Sequence, residues 1–118
     1  LWVPTPLDLK ALNRLSARLI GRKDFKSFQS TGSEVKTTIR QIEMAQWRQV
    51  SPHLIEFRIR GNGFLKQMVR NIVGTCLYLE RTKGTAHHME AIIAAKDRRV
   101  AKATAAAHGL YLYRVEYP

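Results

Sequence analysis

The chain has one cysteine, Cys76, in 118 residues. A single thiol excludes an intrachain disulfide, and its place in an apolar run predicts a buried, inert side chain. The four histidines do not supply a metal site: His87 and His88 are adjacent, His53 and His108 are remote, and none has paired ligand spacing. No structural metal is expected. Carboxylates are scarce, and Asp8, Asp24, Glu34, Glu43, Glu56, Glu80, Glu90, Asp97 and Glu116 are scattered. No two are spaced to share a helical face as an acid/base pair. Ser, Thr and His form no nucleophile motif. Gly61-Asn62-Gly63 lacks a third glycine and precedes no Lys-Ser or Lys-Thr, which excludes a phosphate loop of the usual kind. No apolar run reaches transmembrane length, and no stretch reads as a signal or transit peptide. No membrane association is expected, and lone-cysteine usage points to a cytoplasmic compartment.

Basic residues are abundant. Twenty Lys and Arg face nine Asp and Glu, a net charge of +11. Such an excess attracts polyanions through their phosphates whatever their sequence. Nucleic acid is the first candidate, a surface kept soluble by charge is the second, and an anionic membrane is the third. The length suits one domain with a real core. The first residue is Leu1, and without an initiator Met the chain is expected to be a piece of a longer protein.

Apolar periodicity predicts a helix over residues 7–20, with Thr5 as N-cap and Gly21 at its C-terminal end. A turn follows over 24–28. Two strands, 35–50 and 54–60, are expected to form an antiparallel hairpin across Ser51-Pro52-His53. In the second, Ile55, Phe57 and Ile59 point one way, and Glu56, Arg58 and Arg60 the other. A strong helix is predicted over 64–81, with Leu65, Met68, Val69, Ile72, Val73 and Cys76 as its core stripe. A second helix is expected over 88–96, a helix or turn over 97–106, and a last strand over 110–117. The order α, β, β, α, α, β argues an α+β fold, a mainly antiparallel sheet with helices packed on one face.

Arg70 sits at the flank of the core stripe rather than opposite it. A half-buried guanidinium there would suit a carboxylate or a phosphate; the alternative is a surface arginine with a solvated head. Arg58 and Arg60 could track phosphates or belong to a solvated sheet face. Asp97, Arg98, Arg99 and Lys102 form a second cluster, open to the same choice between binding and ion pairing. On these residues alone the chain is a basic binding domain with no complete catalytic set.

The run Phe64-Leu65-x-x-Met68-Val69-Arg70-Asn71-Ile72-Val73-Gly74 resembles the signature helix of the tRNA pseudouridine synthase A family. Gly61-Asn62 before it also fits. So do Leu7-Asp8-Leu9, Gly21-x-x-Asp24-Phe25-x-x-Phe28, Ala94-Ala95-Lys96-Asp97-Arg98, Thr104-Ala105, Gly109-Leu110-Tyr111-Leu112 and Val115-x-Tyr117-Pro118. The resemblance spans nearly the whole chain and implies a tRNA partner. Its members isomerise uridine to pseudouridine in the anticodon arm without metal or organic cofactor. An aspartate attacks the nucleotide, and the uracil detaches, rotates and rejoins through carbon. The family fold pairs two α+β halves around a basic cleft, in a homodimer. On this reading residues 1–118 are the C-terminal domain. The half that carries the aspartate, in an Arg-Thr-Asp-x-Gly-Val-His motif, is absent, so the isolated chain is expected to be inactive.

Matched residue by residue, the resemblance gives Arg70 as the partner of that aspartate, which it would hold ionised, and Leu110 as the apolar group near the target base. Asn62, Phe64, Lys66 and Arg98 are implied to shape the cleft or hold RNA. Asp24 belongs to a different motif from the nucleophile, and none of the four tyrosines inherits the base-stacking role. Gln29 stands where many members have Arg, and Lys66 and Gln67 where they often have His-His. The alternatives are a stand-alone basic RNA-binding module and an interaction domain that binds no RNA.

Overall fold

Strict alternation over 54–60 resolves into the central strand of the sheet. In the computed structural model, which describes residues 7–30, 35–52, 54–65, 67–100 and the strand 111–116, β2 (Ile39–Ser51) and β3 (Leu54–Gly61) pair antiparallel, with Trp47 opposite Phe57 and Ala45 opposite Ile59. Ile42, Ala45, Trp47, Ile55, Phe57 and Ile59 are buried. They form one wall of the core, and the Trp47 and Phe57 rings meet at 4.8 Å.

The sheet has four strands in the order β1-β2-β3-β4. β1 (Gly21–Asp24) pairs antiparallel with β2, and β4 (Tyr111–Glu116) runs parallel to β3. The fold is α+β with a mainly antiparallel sheet. β1 was not expected from the sequence, since Gly-Arg-Lys-Asp has neither alternation nor β-branched residues; it forms on the edge that β2 offers, where pairing outweighs propensity. Beyond β1 that edge is closed by a side chain: Asn13 donates Nδ2 to the Trp47 carbonyl at 3.0 Å and accepts the Trp47 N–H at 2.8 Å.

α1 (Leu9–Ala17) is shorter than predicted. Its N-cap is Asp8, whose carboxylate accepts the Ala11 N–H at 3.0 Å; Thr5 lies outside the described residues. Its C-cap is Arg18, so Gly21 opens β1 instead of closing the helix. Leu12, Leu15 and Leu19 enter the core, while the Ser16 hydroxyl accepts from the Trp47 indole N–H at 2.8 Å and lies 3.7 Å from the Cys76 sulfur.

α2 (Met68–Arg81) begins four residues later than its periodicity suggests, because Gln67 takes the left-handed conformation with φ 55°. The predicted stripe holds: Leu65, Met68, Val69, Ile72, Val73 and Cys76 are all buried. Each such apolar side chain contributes about 1.5–3 kcal/mol of burial. α3 (Ala86–Ala95) begins before the expected His88, since His88 is the third residue of a capping box closed on Thr85. Met89, Ile92 and Ile93 join the same core. Short 3-10 turns cover Lys26–Phe28 and Arg98–Val100. The rest of the segment predicted over 97–106 lies outside the described residues, as do His53 and Lys102.

Candidate functional site

The signature run leaves the end of β3, crosses a loop and enters α2. Gly61 must be glycine for space: a Cβ would lie 2.7 Å from the Gln41 carbonyl oxygen and 3.3 Å from the Phe64 ring. Asn62 then clips the loop to β2. Its backbone N–H donates to the Gln41 carbonyl at 3.1 Å, and its side-chain oxygen accepts the Gln41 N–H at 3.0 Å. That oxygen lengthens the ladder by one rung and holds the loop against β2. Phe64 is half-buried against the core.

Gln67 starts the helix from a conformation that costs an L-residue roughly 1–2 kcal/mol. The Ser30 hydroxyl donates to its side-chain oxygen at 2.8 Å. Arg70 follows in the first turn, half-buried, with its Nε shielded from solvent. It is therefore not a surface arginine with a wholly solvated head. Lys66 and Leu110, the other residues expected here, lie outside the described residues.

Asn71 joins this turn to two distant segments. It is fully buried; its Nδ2 donates to the Phe28 carbonyl at 2.7 Å, and its Oδ1 accepts from Arg98 Nη2 at 3.1 Å. Sequence reading gave Asn71 no role beyond its place in the motif. Its partners lie 43 and 27 positions away, and local pattern carries no signal for them. The structure thus brings Arg98 to Asn71, the chain neighbour of Arg70 in the first turn of α2.

The basic cluster after α3 divides. Arg99 grips Asp97 with Nε at 3.1 Å and Nη2 at 2.8 Å. The hydrogen bond from Arg99 holds the Asp97 carboxyl down, at about 2, and raises Arg99 above its ordinary value. Ion pairing is therefore the right reading for Arg99, while Arg98 is turned inward.

On the second face of the sheet, Glu56 is 2% exposed and accepts from Arg48 Nε at 2.8 Å. Arg58 and Arg60 on this face are half-buried and engaged within the chain. A freely solvated sheet face is excluded. Cys76, on the buried face of α2, is pushed up to about 12 by desolvation, in keeping with an inert thiol. Among the described residues no group of His, Cys, Asp and Glu could hold a metal ion, and no helix is long and apolar enough to cross a membrane.

Comparison with known proteins gives the family. The family described as tRNA pseudouridine synthase matches residues 15–118. A tRNA pseudouridine synthase A of Bdellovibrio bacteriovorus is 51% identical over 117 residues, covering 99% of this chain and 45% of that protein. Proteins of the same name from Burkholderia lata and Bordetella petrii are 39% and 38% identical, again over 99% of this chain and 43% of theirs. The chain thus spans a little under half the length of these relatives. With the match covering the sheet, α2 and the Arg70 turn alike, the chain belongs to the tRNA pseudouridine synthase family.

Proposed function

We propose that this chain is the C-terminal half of an enzyme that isomerises uridine to pseudouridine in the anticodon arm of tRNA. The observation that carries the reading is Arg70: a half-buried guanidinium in the first turn of α2, within the family's most specific motif. Its partner is an aspartate contributed by an N-terminal half. The guanidinium stabilises that carboxylate's charge and orients it, so the nucleophile is ionised when the target nucleotide arrives. Leu110 packs near the base. Asn62 and Phe64 shape the cleft wall, and Lys66 and Arg98 hold RNA. The enzyme works as a cytoplasmic homodimer without metal or organic cofactor. The fragment alone is inactive, since the attacking carboxylate is supplied from outside residues 1–118.

The test is release of tritium from tRNA labelled at uracil C5, with the upstream half restored. Release at catalytic rates, absent with residues 1–118 alone, is the expected result. The net charge of +11 favours a second reading, a basic RNA-binding module. Salt-sensitive tRNA binding without release would favour it over the enzyme.

A further inference from the structure

We propose that Arg40, on β2 beside the signature loop, is an RNA contact: the Nε–Nη2 edge of its guanidinium takes a backbone phosphate, and Gly63 keeps that edge open. The inference rests on the reading of an RNA substrate and adds to it a phosphate contact made from the sheet.

One nitrogen of the fork is already engaged. Arg40 Nη1 donates to the Thr37 carbonyl at 2.8 Å and to the Ile39 carbonyl at 2.7 Å. Both carbonyls belong to fixed backbone. Thr37 Oγ1 accepts the Ile39 N–H at 3.1 Å, and the Thr38 carbonyl between them accepts the Phe25 N–H at 3.0 Å. A guanidinium holds its five N–H donors in one plane. The two bonds therefore orient the group and leave Nε and Nη2, an edge that matches two phosphate oxygens.

The charge of Arg40 is not neutralised within the chain. Among the described residues it pairs with no carboxylate. Asp24, at the end of β1, accepts from the Thr38 hydroxyl at 2.6 Å and from the Lys26 N–H at 3.0 Å. Directly opposite Arg40 in the ladder stands Lys23, a second cation whose placement costs stability. A half-buried, oriented and uncompensated guanidinium calls for an anion from outside, and an RNA backbone offers one at every nucleotide.

Gly61 and Gly63 are glycine for different reasons. At Gly61 a Cβ would collide with the Gln41 carbonyl oxygen. Gly63 has no left-handed φ, and a Cβ there would collide with nothing. It would lie 3.5 Å from Arg40 Nε and 3.7 Å from Arg40 Cδ, covering the Nε side of the fork. Asn62 holds the loop in this place, since its side-chain oxygen accepts the N–H of Gln41, the residue after Arg40.

The experiment is tRNA affinity of the full-length protein over a range of salt, with KM and kcat alongside. Arg40→Ala is expected to weaken binding about tenfold and to reduce the salt slope by about one phosphate contact. KM should rise with kcat little changed. Arg40→Lys keeps the charge without the fork, and should hold the slope while losing part of the affinity. Gly63→Ala should weaken binding, and the double variant should bind no worse than Arg40→Ala alone. Lys10→Ala removes an exposed lysine from α1 and should leave the slope unchanged. If Arg40→Ala does not fold, Gly63→Ala, which meets no clash, and Arg40→Lys carry the test.

Unchanged affinity and slope in Arg40→Ala would overturn the proposal. So would an equal fall in slope for Lys10→Ala, which would mark a response to net charge. Lost turnover with tRNA affinity and slope intact would give the fork to a carboxylate of the protein instead of a phosphate, and would overturn it too. An enzyme that forms pseudouridine while Arg40→Ala binds as wild type loses the contact and keeps the function. A protein in which Arg40→Ala weakens tRNA binding without any isomerisation keeps the contact and loses the enzyme.

Discussion

The two ends of α2 are built from one continuous motif and do different work. Its first turn leaves a left-handed Gln67, carries a half-buried Arg70 and spends Asn71 on bonds to Phe28 and Arg98. From Ile72 to Leu79 the buried positions are Ile72, Val73, Gly74, Thr75, Cys76 and Leu79, of which Ile72, Val73, Cys76 and Leu79 belong to the hydrophobic core. There the buried polar groups are few, and the Thr75 hydroxyl has no hydrogen-bond partner among the described residues. One helix thus anchors itself by apolar burial at its later turns and presents oriented polar groups at its first. Substitutions at the two ends should separate function from stability.

The largest effect is expected at the polar end. Arg70→Ala in the full-length protein should bring turnover to background while leaving tRNA affinity largely intact, measured by tritium release and filter binding. Its melting temperature should move little. Turnover near wild type would remove Arg70 from the catalytic arrangement. At the packed end, Ile72→Ala should cost about 2–5 kcal/mol of stability through lost burial and a cavity, read as a lower denaturant midpoint.

Cys76 sharpens the contrast through pH. Its thiol is pushed from 9.0 to about 12 by burial, so between those values the unfolded chain loses the proton while the folded chain keeps it. Stability should therefore be unaffected by this group below pH 9 and fall above it, by up to about 1.4 kcal/mol per pH unit. Cys76→Ala should flatten that alkaline limb in chemical denaturation. The smallest effect is at Thr75. Thr75→Val keeps the shape and removes a hydroxyl without a partner, and should stabilise by about 1 kcal/mol. A loss of stability would show that the hydroxyl is satisfied in solution.

The later turns of α2 and the inward row of β3 were legible in the sequence because each obeys its own period over several residues. Arg70 was legible as a flank position, and the family motif gave it a role. The start of α2 was misplaced because Phe64 and Leu65 continue the apolar pattern; the left-handed Gln67 ends the helix there, and a glutamine gives no sign of that conformation. β1 was hidden by strand-poor composition, and it exists only through its register with Ile39–Ile42. Asn13 closing the edge at Trp47 and Asn71 bridging to Arg98 were equally hidden. A buried amide is defined by its partners, and those arrive from other parts of the chain.

The parallel pairing of β3 with β4 sets an order of events in folding. Ile55 lies beside Tyr111 and Arg60 beside Glu116, so β3 can close its hairpin with β2 early but acquires its other neighbour only after α2 and α3 have been passed. Until then the central strand has a bare edge, able to accept any extended segment that reaches it first. Long-range parallel pairing is slow to form. The late strand should therefore limit the refolding rate, and on the ribosome β3 waits for the last residues of the sheet to emerge.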